Sequence, residues 1–564
     1  MLSNLILLAL PLVIGYLIKR IYYTRYRQYA AFPQHKSSFF WGNLAVLNNY
    51  LNKWKDTPAI HIDHVLYDMQ KDLGSPPIML LDTRPIFQYP MVVISSHEVA
   101  EQVSKSSKLF PWSTPKSPTF SEFVHLIGPR SILTRESDDW KGLRKRYNPG
   151  FAPQHLMTLL PCILDKTDIF LDRLDGFCAS GKDFSLMDMI VNLTFDIIGA
   201  VVMGIDFDAQ LHDPSDGSRS QGEFIKRYEE LVHAYQKKAG LSWPWWMQPR
   251  KEWKRQQLSK EVDVLLKKMI QEKHAERNFS PVEKTTARSV LNLSLQDTET
   301  LSEDFLNETV DQIKTFLFAG HDTTSILLSW IFYALARTPS VRKAVNAELD
   351  SIFGPETHPA VIRQKLLAPG GEELINRMTY TSAVIKEALR LWPPASTARM
   401  AAPGTNFVVT TPEGQNVCLD GLVIYNCAFM IQRDPRVFGE TANEFIPERW
   451  LGDKSGIMSS SSNTDDQKEG GRRFPAAAWR PFERGPRNCI GQDLATIEAR
   501  VIIACVSRRY DFTKVGLGEL ESDEKGRPIL EENGRCYKVK SSVHNSQVVT
   551  AKPVDGMRMK VRRL

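Results

Sequence analysis

The segment PFERGPRNCIGQ, residues 481–492, sets Cys489 between Gly485 and Gly491, with Arg484 and Arg487 just upstream. The chain has seven cysteines, scattered with no CxxC pair and no regular spacing. Neither a disulfide framework nor a zinc site follows from that pattern, and it reads as a reducing compartment. The loop instead offers one thiol in a basic, permissive backbone. Its glycines let backbone N–H groups approach closely. The run QDLATIEARVIIACVSRRY after Gly491 is helical in pattern, so Cys489 sits at a helix N-terminus, where the dipole favours negative sulfur.

A thiolate held by such donors is a ligand for haem iron. Haem iron also takes His, Met or Tyr, but thiolate donates the electron density that favours O–O cleavage. Arg487 is placed for a haem propionate, and Phe482 to cover the sulfur side of the ring. The five fixed positions of F-x-x-G-x-R-x-C-x-G arise by chance on the order of once per ten million windows at average residue frequencies. A buried structural cysteine leaves the flanking glycines and arginine unexplained. A cysteine hydrolase lacks a local histidine signature.

On these residues the segment resembles the haem-binding loop of the cytochrome P-450 superfamily, and the resemblance extends over nearly the whole chain. It implies a mainly α fold with small β-sheets: one large helical haem domain behind an N-terminal transmembrane helix. It also implies haem b with Cys489 as axial iron ligand and metal-binding residue, O2, and NADPH-derived electrons through a flavoprotein reductase.

The rest of the sequence is compatible with that class. A chain of 564 residues, 42% hydrophobic, can bury a large core. The net charge of +6 is diffuse and forms no basic stripe with interleaved aromatics, so nucleic acid is not expected as a partner. From about residue 60 to 440, apolar residues recur at three- and four-residue spacing, a helical pattern. The clearest long helix is predicted from about Ser302 to Ala336, opening with Glu303 and Asp304. Short alternating runs between 536 and 563 predict a terminal β-hairpin. Residues 452–473 are low-complexity and read as a mobile insertion; 210–222 are similarly polar.

Residues 2–18, LSNLILLALPLVIGYLI, carry no charge, and KRIYYTRYR follows. Seventeen to twenty helical residues span about 25–30 Å, enough to cross a bilayer. A cleaved signal needs charge before the apolar run and small residues at a cleavage site, and neither is present. Lys19, Arg20, Arg25 and Arg27 would keep the following domain cytosolic. The expected organisation is an anchor over 1–20, a basic and polar connector over 21–45, and the haem domain over 46–564. The membrane would be the endoplasmic reticulum, crossed once. The sequons at Asn192, Asn278, Asn292 and Asn307 would then face away from the glycosylation machinery.

The resemblance assigns further residues. Glu387 and Arg390 of KEALR match the family's E-x-x-R pair, which forms a buried structural triad with the arginine of FIPERW, here Arg449. Arg399 matches a propionate-binding arginine. Trp140 and Arg144 of WKGLR match a W-x-x-x-R that binds a propionate from another helix; alone, that pair also fits surface packing. Lys141, Lys145 and Arg146 on the same segment form a basic patch suited to an acidic reductase. AGHDTTS, 319–325, places poor helix formers inside a helix. It matches A-G-x-D-T, with Ala319 and Gly320 leaving room for dioxygen and Asp322 and Thr323 forming the alcohol–acid pair that relays protons. His321 is expected to face the bundle or substrate.

Nothing in the haem machinery selects the substrate. By the same likeness the pocket draws on 111–132, Phe316, Phe318, Ala395–Ala398 and the turn near Gln547–Val549, which suits a small apolar organic molecule. WPWWMQP, 243–249, fits a membrane-interface contact and equally fits packing between helices. The overall spelling resembles fungal members that serve aromatic-polyketide, mycotoxin-type pathways. Terpenoid or fatty-acid substrates, a haem-thiolate isomerase or dehydratase, and a haem-binding sensor stand as alternatives. An intact Asp322–Thr323 pair argues against the isomerase.

Overall fold

The helix that organises the interior runs from Glu303 to Arg337 in a computed structural model. The structure describes residues 2–564 except 58, 212–221, 236–244, 280–287, 297, 453–473 and 548. The predicted insertions at 452–473 and 210–222 therefore fall almost wholly outside the described residues, as do Trp243 and Pro244. Ser302 caps the long helix by accepting a hydrogen bond from the Phe305 N–H, with Glu303 and Asp304 in the first turn and Arg337 in the last. Both choices match the helix dipole. The helix ends at Arg337, and its C-cap Thr338 is non-helical, as expected of the residue before Pro339.

The long helix packs along Leu186–Ile198, whose apolar residues are buried almost all round. Leu186–Met203 is apolar and long enough to cross a bilayer, but most of it is buried in the protein interior. Gly320 allows the two helices to cross closely: a Cβ there would lie 2.5 Å from Ile198 Cδ1. Its missing side chain is thus filled by Ile198, and both residues line the cavity described below. Further along, Trp330 is fully buried and stacks on Trp392, with ring centroids 4.5 Å apart and planes 3° from parallel. Such pairs contribute about 0.5–1.5 kcal/mol beyond area burial.

The mainly helical reading holds, yet the 60–440 region also carries a four-stranded sheet. Its order is Ile78–Leu81, Met91–Ile94, Val423–Asn426, Thr397–Met400, with only the middle pairing parallel. IMLL and MVVI are short apolar runs, which periodicity cannot tell from buried helix. The sheet places Arg399 opposite Ile424, with its side chain fully buried.

The C-terminal prediction needs revision. Asn545–Gln547 pairs with Ala551–Pro553 as a hairpin, but Arg558–Arg563 joins another sheet, between Tyr510–Lys514 and Phe184–Ser185. The 536–542 run forms only isolated bridges.

The first helix spans Leu2–Tyr26, past the residue-20 boundary, and leaves Leu10, Leu12, Val13, Ile14, Leu17 and Ile18 exposed. Arg25 departs from expectation. It is buried, pairs with Asp82 and donates to the Phe40 carbonyl at 3.1 Å and to the Arg84 carbonyl. It is therefore a docking residue and no part of a free basic flank.

Candidate active site

The Cys489 loop is built by backbone before it is decorated by side chains. Gly485 has φ +77°, and a Cβ there would lie 2.1 Å from the Ser104 carbonyl oxygen. Only glycine allows that approach. The Cys489 N–H then donates to the Phe482 carbonyl at 2.8 Å, closing the loop. The helix Gln492–Val506 starts directly afterwards, with Gly491 as its N-cap residue. Gly491 has φ −88°, within reach of any residue, so its part lies in the N–H it presents to sulfur.

Cys489 opens onto an internal cavity of about 480 Å³. Burial pushes its thiol up, while the Gly491 N–H and the Arg144 guanidinium pull it down. A metal ion bound to the sulfur would deprotonate it outright. Ala319, Gly320 and Thr323 line the same cavity, and so do Trp140, Arg144, Phe482 and Arg487. The long helix and the Cys489 loop thus meet across one space.

The other site residues fall into three groups. Arg399 donates to Ser113 Oγ at 3.0 Å and the Thr114 carbonyl at 3.1 Å, and its Nε and Nη2 are buried without a hydrogen-bond partner among the described residues. Burial pulls its guanidinium down to about 10, with Glu483 opposing. Arg144 and Arg487 are committed within the protein. Arg144 donates to the Asn488 carbonyl at 2.7 Å and to Asn488 Oδ1 at 3.0 Å, holding the residue beside Cys489. Arg487 pairs with Glu136, donates to the Arg135 carbonyl at 2.8 Å, and lies 5.1 Å above the buried Trp140 ring.

Glu387, Arg390 and Arg449 form the third group. Glu387 accepts from Arg390 Nε and Nη2 at 2.9 and 2.8 Å, from Arg449 Nε and Trp450 Nε1 at 2.9 Å, and from the Ile446 N–H at 2.9 Å. Glu387 and Arg390 are wholly buried.

Thr323 Oγ1 donates to the Ala319 carbonyl at 2.8 Å. Asp322 faces elsewhere, towards Thr550 and Lys552 of the C-terminal hairpin. His321 Nδ1 meets the Leu317 carbonyl at 2.7 Å, and its ring packs edge-on against Phe195.

Sequence reasoning missed Lys116 and Glu483. Lys116 lines the cavity, donates from Nζ to Thr397 Oγ1 at 2.9 Å, and bridges to Arg399 through the backbone. Burial drives its amine well below the usual lysine range, and Arg399 adds to that. Glu483 lies in the Cys489 loop itself. Burial opposes its ionisation, yet Arg480 and Arg399 hold the carboxyl at about 2. Among the described residues, the cavity wall therefore carries Lys116, Arg144, Arg480 and Arg487 against the ionised carboxylate of Glu483, and Arg399 sits on the strand bridged to Lys116 without lining the wall itself. Glu498, also on the wall, is pushed far above the carboxylate range by burial and stays neutral.

A wall this cationic, with Arg480 Nε orphaned on it and Arg399 Nε and Nη2 orphaned on the adjoining strand, calls for an anionic ligand. Haem, with two propionates and an iron that binds thiolate, fits it. When bound, haem supplies the activation of dioxygen. Cys489 would hold the iron, Arg399 and Lys116 the propionates, and Arg144 and Arg487 the loop and helix around them.

Comparison with known proteins agrees with this geometry. A family model described as Cytochrome P-450 matches residues 62–533. Cytochrome P-450 monooxygenase acrF of Aspergillus aculeatus is 33% identical over 447 residues, covering 77% of this chain and 83% of that protein. Cytochrome P-450 monooxygenase polC of Polytolypa hystricis is 27% identical over 483 residues, 81% and 78% of the two chains. Cytochrome P-450 4V2 of Homo sapiens is 28% identical over 450 residues, 77% and 76%. The matched span carries Lys116, Thr323, Arg399 and Cys489 together, and the chain belongs to the cytochrome P-450 family of monooxygenases.

Proposed function

We propose that this monooxygenase inserts one atom of O2 into an apolar, ring-containing substrate, an aromatic polyketide of fungal secondary metabolism. The observation that carries the reading is the cavity wall away from the cations: Phe120, Phe123, Phe316, Phe318, Leu327 and Val549. Aromatic side chains of this kind favour flat rings by edge and offset contacts. Two of the relatives above come from fungi, which is consistent with that setting. The test is incubation of enzyme-bearing membranes with candidate aromatic polyketide intermediates, dodecanoic acid and a terpenoid, with NADPH. Gain of one oxygen atom by a polyketide supports the reading. Oxidation of the fatty acid or terpenoid alone overturns it.

In this reading Thr323 handles protons beside the site of dioxygen activation, with Asp322 behind it. Thr323→Ala is expected to preserve NADPH consumption but divert it to hydrogen peroxide, lowering product per NADPH at least about 10-fold. Retained coupling would remove that role.

Electrons arrive from a flavoprotein reductase docked at the exposed Lys141 and Lys145. Arg146 is excluded from the docking patch, because it pairs with Glu308 at 3.0 Å and covers the Phe305 ring. Lys145→Glu should slow reduction roughly 10-fold at low salt, with the difference vanishing at high salt. Equal stopped-flow rates at low salt would sink the assignment.

The first helix crosses the membrane of the endoplasmic reticulum once, with the catalytic domain in the cytosol. Its exposed apolar face supports this, as do Lys19, Arg20 and Arg27, which remain exposed after Arg25 is set aside. Trp246 and Met247 of the tryptophan-rich segment, 55% and 43% exposed, favour its membrane-interface reading over packing.

A further inference from the structure

Asp322 is a buried acid whose carboxylate is held by the element that also walls the cavity. It is 1% exposed and, unlike Thr323, does not line the cavity among the described residues. Thr550 Oγ1 donates to its Oδ2, and Lys552 Nζ pairs with its Oδ1. Thr550 and its neighbour Val549 line the cavity. The hairpin is fixed at three further points. Trp330 Nε1 donates to Asn545 Oδ1 at 3.1 Å, the Ala551 N–H to the Pro394 carbonyl at 2.9 Å, and the His61 N–H to the Asn545 carbonyl at 2.8 Å. One short segment, Val549–Lys552, therefore meets whatever fills the cavity and grips the acid.

Among the described residues, the groups facing Asp322 leave it one cation, Lys552. His321 Nε2 lies 3.9 Å from Oδ1, but burial lowers that imidazole's proton affinity, and it stays neutral. Tyr228, from the neighbouring helix Glu223–His233, is buried and kept protonated. Lys552, with 18% of its side chain exposed, is the charged partner and the one that reaches solvent. A buried carboxylate without a counter-charge turns to another donor or takes up a proton.

We propose that Thr550 and Lys552 are positioning residues for Asp322, so that the orientation of the proton-delivering acid follows the cavity-lining turn. Pressure from an occupant on Val549 and Thr550 is passed directly to the carboxylate. The proposal rests on Asp322 being that acid, and the experiment separates the two claims.

The measurement is NADPH oxidation by the holoenzyme with saturating reductase and no added organic substrate, in H2O and D2O across pH 6–9. The carbon monoxide difference spectrum checks that each variant is folded and loaded. Asp322→Asn is expected to slow oxidation at least 5-fold and raise the solvent isotope effect. Lys552→Met should reproduce that slowing and make the rate pH-dependent, and Lys552→Arg should restore it. Thr550→Val keeps the charge and should raise the isotope effect with a smaller loss of rate; it also carries the test if Lys552→Met fails to load haem. If Asp322→Asn is slowed while Lys552→Met, or Thr550→Val in its place, behaves as wild type, the positioning role is overturned. If Asp322→Asn itself behaves as wild type, the reading of Asp322 falls.

Discussion

Cys489→Ser is expected to abolish monooxygenation and the large red shift of the reduced, carbon monoxide-bound haem, while the protein still folds. The substitution changes one atom at a position that opens onto a cavity, so no packed neighbour loses its contacts. If Cys489 is the iron ligand, as proposed, the loss should exceed the roughly 10–100-fold that removal of an outer-shell partner costs. Haem content is a separate readout. Arg399, with its orphaned Nε and Nη2, and Lys116 remain to bind propionates, so the serine protein should retain haem with a shifted spectrum. A serine variant that oxygenates normally would refute the thiolate assignment.

Glu387→Gln is expected to be the most damaging change distant from the cavity. The carboxylate collects five donors from Arg390, Arg449, Trp450 and the Ile446 backbone, with Glu387 and Arg390 fully excluded from solvent. Glutamine keeps the volume but turns an NH2 group towards guanidinium donors. Removing one partner of a buried ion pair costs about 3–5 kcal/mol. Urea denaturation should show that loss, with low yield at growth temperature. A change under about 1 kcal/mol would mean that the network is relaxed by water and is not structural.

How much of this was legible in the sequence depended on whether the cause was local. The Cys489 loop could be read because its turn, its donors and its helix start lie within twelve neighbouring residues. The long helix could be read because Ser302, its acids and the break at Pro339 are local signals. The spacing of E-x-x-R alone fits a surface pair, and its buried triad with Arg449 came from the family resemblance; the donors from Trp450 and the Ile446 backbone required the fold. The sheet strands stayed hidden because IMLL and MVVI are too short for either period to declare itself. Lys552 had no signal at all: its partner Asp322 lies far away in sequence, and only the C-terminal hairpin brings them together. Arg25 was misread for a related reason. A basic residue after an apolar run looks like a membrane flank until Asp82 is placed opposite it.

The Arg25–Asp82 pair also decides where the catalytic body can be cut free. A version trimmed beyond Arg25 would leave the buried Asp82 carboxylate with Arg84 as its remaining ion-pair partner among the described residues. The last turns of the first helix are therefore part of the enzyme's own floor. In the membrane-anchored reading proposed above, that docked turn would tie the body to its anchor and give the cavity mouth a set attitude to the lipid surface.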